Sequence, residues 1–136
     1  ICCAAALANI EVIIKERLWE NAARVGAVMH AALGRLREQF PEVAAVLGKG
    51  LVAGMPLVDP ATRGPDSPLA YDTVRRSYEK GLLMFNPVGM GGGTVKIAPP
   101  LITTEEAVLE GVGVLREALA ETLAARQKTV EEAVTR

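Results

Sequence analysis

The sequence predicts an α+β fold, a small and largely antiparallel sheet with helices packed on one face. Three observations predict it. Residues 3 to 38 place apolar side chains at spacings of three, four or seven. Residues 45 to 58 (AVLGKGLVAGMPLV) lose that period and become glycine-broken and β-prone. From Thr103 the helical spacing returns and holds to Leu123.

The first helix is carried by Leu7, Ile10, Ile14, Leu18, Val25, Met29, Leu33 and Leu36, with Glu11, Lys15, Asn21, Arg24, Arg35 and Glu38 mostly on the other side. At ~1.5 Å per residue an unbroken helix would exceed about 50 Å, too long for one small domain, so a bend is expected near Glu16 to Leu18. Pro41 ends the segment. Gly48 to Gly50 reads as a turn or bulge, followed by a strand from Leu51 to Val58; Pro56 places that strand at an edge or makes it bulged. DPATRGPDSP, residues 59 to 68, is a polar loop of turn formers.

Ser67-Pro68 opens the next helix, with Ser67 as N-cap and Pro68 at the first helical position. It runs to about Lys80, and Gly81 stops it. LLMF (82–85) reads as a short strand, 86–93 as a loop with four glycines, and TVKIA (94–98) as a strand forming a hairpin with LLMF. Thr103-x-x-Glu106 has the form of a capping box for the last helix. That helix carries an apolar stripe of Val108, Val112, Leu115, Leu119 and Leu123, and becomes polar from Arg126.

With 136 residues, half of them hydrophobic, the chain can bury a real core. A net charge of −1 and the lack of any basic run argue against nucleic acid as a partner. No apolar run approaches the ~20 residues of a membrane span. The chain starts at Ile1, not Met, which reads as the edge of a longer chain. Cys2 and Cys3 are the only cysteines and are expected to be reduced, buried helix residues, as suits a cytoplasmic protein. Two adjacent cysteines and one histidine cannot supply four ligands, so no structural zinc is expected.

Most apparent motifs have an ordinary explanation. Gly48-Lys49-Gly50 resembles a phosphate loop, but such a loop must open a helix, and here a strand follows. His30, the only histidine, has no acidic or nucleophilic neighbour in sequence and reads as structural or surface. The pairs Glu105-Glu106 and Glu131-Glu132 read as solvated helix residues. GMGGG (89–93) is either a plain hairpin loop or a segment allowing close backbone approach to a ligand. Lys96 is the sharpest feature. In a strand it points away from the face shared by Val95 and Ile97. That opposite face is either solvent or a site that holds an anion.

Four segments in order resemble the C-terminal portion of class III aminotransferases, pyridoxal-phosphate enzymes of fold type I. They are CAAALANIEVI (3–13), VLGKGLVAGMPLV (46–58), KGLLMFNP (80–87) and TVKIAPPLITTEEAV (94–108). The resemblance implies a long, bent helix over 1–38 that links to a larger domain, and a C-terminal small domain over 39–136. It implies that Lys96 stands where the family usually has an arginine that binds the substrate carboxylate. Lysine offers a flexible point charge in place of a planar fork. Leu47 also stands where the family often has arginine. The implied activity is transamination between an amino acid or amine and a 2-oxo acid, in a homodimer; a racemase or decarboxylase of the same family, or a free-standing binding module, remain alternatives. The implied cofactor, pyridoxal phosphate, is held by residues upstream of this stretch. None of Lys15, Lys49, Lys80, Lys96 or Lys128 sits in the cofactor-lysine motif, so these residues alone are expected to be non-catalytic.

Overall fold

The computed structural model describes residues 1–134 and has the predicted α+β class. Four α-helices, α1 (Cys2–Lys15), α2 (Leu18–Gln39), α3 (Ser67–Glu79) and α4 (Glu105–Val134), accompany three strands, β1 (Leu47–Lys49), β2 (Val52–Pro56) and β3 (Thr94–Ile97). The sheet is antiparallel throughout, in the order β1-β2-β3, with Lys49 opposite Val52 and Met55 opposite Val95.

One face of the sheet is apolar. Ala53, Met55, Leu57 and Val95 are buried against Val25, Met29, Leu33 and Leu36 of α2, Leu69 and Val74 of α3, and Val108, Leu115 and Leu119 of α4. The period of two on the strands and the stripes on the helices therefore meet in one core. Helix α2 comes unusually close to the sheet. A Cβ on Gly26 would lie 2.3 Å from the carbonyl carbon of Gly50 in the β1–β2 turn, so only glycine fits.

The helix break falls where length required it. Helix α1 ends at Lys15, and Arg17 enters α2 in the left-handed region at φ 52°. Other boundaries differ from expectation. Strand β2 is central, not an edge. Pro56 is tolerated because it is the last residue of the strand: Leu57 N–H bonds Gly93 O at 2.7 Å on the β3 side, so position 56 turns its nitrogen toward the side where β1 has already ended. The cap of α3 is Asp66, whose side chain accepts from Leu69 N–H at 2.8 Å, which puts Ser67 and Pro68 inside the first turn. At α4 the hydroxyl of Thr104, not Thr103, accepts from Ala107 N–H at 3.3 Å. Cys2 and Cys3 are free, but both are exposed, because α1 buries no residue at all.

LLMF forms no strand and no hairpin with TVKI. The isolated bridge nearest to them, Val88 to Thr94, joins the loop after LLMF to the first residue of TVKI. Beyond it no ladder forms, and Leu82 and Met84 pack instead against the helical core.

Candidate functional site

The separation of those two segments opens a cleft of about 590 Å³. One wall is Leu82 to Phe85, the other is Lys96 to Pro100, and Val108, Gly111 and Val112 of α4 close the inner end. Among the described residues Lys96 is the only charged one in the lining. Strand β3 fixes it: with Val95 fully buried, the pleat turns Lys96 away from the core, opposite Gly54 on β2.

Lys96 is half-buried, and its Nζ lies 4.7 Å from the centroid of the Phe85 ring. That is within cation–π range. Among the described residues no carboxylate comes within ion-pair distance of it. The other basic residues with close carboxylates are committed. Lys80 Nζ pairs with Glu121 at 2.7 Å, and this hydrogen bond, with the charges of Glu121 and Glu117, raises its pKa from the ordinary lysine value. Arg126 pairs with Asp66 at 2.7 Å. Lys96 therefore presents a cation with its donors free, against apolar walls.

A polar clamp sets the Pro-Pro-Leu wall. Asn21 Nδ2 donates to Leu101 O at 2.7 Å and to Thr103 O at 3.0 Å. Arg24 donates to Asn21 Oδ1 at 2.9 Å and also pairs with Glu105. Arg24 thus orients the amide that anchors the turn leaving β3. Sequence reasoning placed Asn21 and Arg24 on a polar helix face and missed this role, since their partners lie some 80 positions away. Phe85 was also missed as a partner of Lys96. Glu105, read as solvated, is in the ion pair with Arg24. Glu106 is held below the usual carboxylate range by its own backbone N–H and by Thr104.

The remaining sequence candidates do not join the cleft. Gly48-Lys49-Gly50 is the hairpin turn between β1 and β2, with no helix after it. GMGGG contains a 3-10 turn, Met90–Gly92, with Gly91 and Gly93 packed against Pro65, so it is a fitted loop. His30 lies on α2, with Nε2 buried and without a hydrogen-bond partner. Leu47 is exposed on the edge strand β1. Among the described residues, no group of three His, Cys, Asp or Glu could hold a metal ion, and no helix is long and apolar enough to cross a membrane.

These residues do not fit pyridoxal phosphate as a whole. The cleft has one amine and no carboxylate to face a pyridine nitrogen, and its walls offer no cluster of donors for a phosphate.

Comparison with known proteins bears on the same segments. The model of the family "Aminotransferase class-III" matches residues 1–119. An alanine/serine racemase of Pyrococcus horikoshii is 34% identical over 120 residues, covering 88% of this chain and 25% of its own length. An acetylornithine aminotransferase of Gloeobacter violaceus is 37% identical over 116 residues, covering 85% and 26%. The structure of an amine transaminase from an uncultivated Pseudomonas species, in its PLP-bound form, superposes with a TM-score of 0.78 at 34% identity, covering 88% of this chain and 27% of that one. The chain belongs to the class-III aminotransferase family, and it spans about a quarter of the length of the relatives it matches.

Proposed function

We propose that these residues act as the C-terminal small domain of a pyridoxal-phosphate-dependent aminotransferase, and that Lys96 forms the side of the active site that holds the substrate's carboxylate. One observation carries the reading: the only charge on an otherwise apolar cleft is a lysine with no carboxylate partner, on the strand that precedes Pro-Pro-Leu. An ammonium in such a place attracts an anion that water screens poorly. It holds and orients the carboxylate while the apolar walls limit competing water. Bound pyridoxal phosphate would supply the electron sink for chemistry at the substrate's Cα. The residues that bind it would lie outside this stretch, so no catalytic step is assigned here.

In this reading α1 connects the small domain to a larger one, and α2, whose Val25, Met29, Leu33 and Leu36 lie in the core with residues 39–134, belongs to the small domain and not to the connection. Helix α1 supports it, since Leu7, Ile10, Val12 and Ile14 are all exposed. An apolar helix face of that kind marks an interaction surface. The whole enzyme would act in the cytoplasm as a homodimer on an amino acid or amine and a 2-oxo acid, without nucleic acid or membrane partners.

The test is Lys96→Ala in the whole enzyme. The KM for the amino acid is expected to rise about tenfold or more, as for loss of a charged hydrogen bond, with a smaller change for an amine that has no carboxylate. An unmoved KM for the amino acid would sink the role. A second reading, a racemase of the same family, is favoured by the similarity to the alanine/serine racemase and by lysine at this position. Assaying loss of optical rotation without a 2-oxo acid separates the two.

A further inference from the structure

We infer that Phe85 is the positioning residue for the Lys96 ammonium, an assignment that rests on the anion-holding role of Lys96. A lysine at the end of four methylenes is a mobile charge, and binding an anion would first require that motion to be frozen. The structure supplies what could freeze it beforehand. The Lys96 Nζ sits 4.7 Å from the centroid of Phe85, across the cleft mouth on the facing wall.

The chemistry of this partner matters. A carboxylate there would neutralise the ammonium and occupy its donors. The face of an aromatic ring attracts the cation through its quadrupole and leaves the charge and the N–H donors available. Phe85 is itself about half exposed, at 51%. It stands one residue past Met84, whose side chain packs on the core, so the backbone that carries the ring is anchored. The pairing also accounts for how a lysine could serve where a rigid guanidinium would hold itself: the ring provides the orientation that the side chain lacks.

The test uses the whole enzyme, with its lysines labelled with 13C and the Lys96 Cε–Hε resonance followed by NMR. The wild type is expected to show Hε shifted upfield by the ring current, and to respond saturably to added propionate. Phe85→Leu should abolish the ring-current shift and weaken the propionate response about two- to fivefold, the equivalent of an exposed cation–π contact. Phe85→Tyr keeps a π face and should preserve both, which separates loss of the ring from a general disturbance of the cleft. A ring-current shift and propionate affinity that survive Phe85→Leu would overturn the assignment of Phe85 alone. A wild-type whole enzyme whose Lys96 resonance ignores propionate would overturn the anion-holding role and the purpose of Phe85 with it.

Discussion

Helices α1 and α2 adjoin in sequence and differ in almost every physical respect. Helix α1 is the more apolar, charged only at Glu11 and Lys15, yet it buries nothing. Helix α2 carries charge along much of its length, yet Val25, Gly26, Met29, Ala32, Leu33 and Leu36 are buried. Composition alone would rank them the other way. What separates them is a complementary surface. Helix α2 has the apolar face of the sheet beneath it, with Gly26 allowing backbone to approach backbone, while the principal contact of α1 among the described residues is with α2 itself. Burial is a property of a pair of surfaces, and hydrophobicity only makes one of them ready.

The sharpest way to break this contrast is to truncate one leucine on each helix. Leu33→Ala should cost about 2–5 kcal/mol in urea unfolding, because Leu33 is wholly buried and its neighbours cannot close the gap. In residues 1–136 taken alone, Leu7→Ala should stay within about 0.5 kcal/mol, as for a surface change. Comparable losses at both sites would mean that α1 is packed in solution.

The contrast between tertiary and local partners can be sharpened with two aspartates. Asp66 caps α3 through Leu69 N–H and also receives Arg126 from α4 at 2.7 Å and 3.3 Å. Asp66→Ala removes both, and a loss of about 1–2 kcal/mol is expected from the cap and the pair together. Arg126→Ala alone should cost less, because the cap remains. Equal losses would show that the cap contributes nothing.

The smallest effect belongs to Asp59, which is fully exposed and has only local partners. It accepts from Thr62 N–H at 2.9 Å and Ala61 N–H at 2.8 Å, and these bonds, led by Thr62, hold its pKa below the usual value. A carboxylate lowered in the folded state contributes stability above its ordinary pKa and loses it as pH falls through the folded value. A side-chain 13C titration should place its midpoint below that of an unfolded control, and a coincident midpoint would refute the loop geometry.

Much of the fold was readable because it rests on local rules. The helix break near Glu16 to Leu18 follows from length, the stop at Gly81 from its left-handed backbone at φ 90°, and the last helix from the stripe Val108 to Leu123. Lys96 was readable because strand alternation alone turns it from the core. The errors fall where a distant partner decided the outcome. Pro56 suggested an edge strand or a bulged one, but strand order is set by which segments pair, and a proline at a strand end does not forbid the central place. LLMF has strand-like residues, but a strand exists only as part of a ladder, and the core of α4 drew Leu82 and Met84 instead. Ser67 and Thr103 were each one residue from the actual cap, since several neighbouring side chains can compete for the same free N–H groups.

The sequence by itself determined the class of fold, the positions of its helices and the one cation worth testing, because periodicity, glycine and proline act within a few residues. Only the tertiary structure decided that β2 is central, that a cleft lies where a hairpin was expected, that Asn21 and Arg24 hold the turn after β3, and that Phe85 faces Lys96. Each of these depends on residues remote in sequence finding one another in space, and no local pattern encodes which of many compatible surfaces will meet.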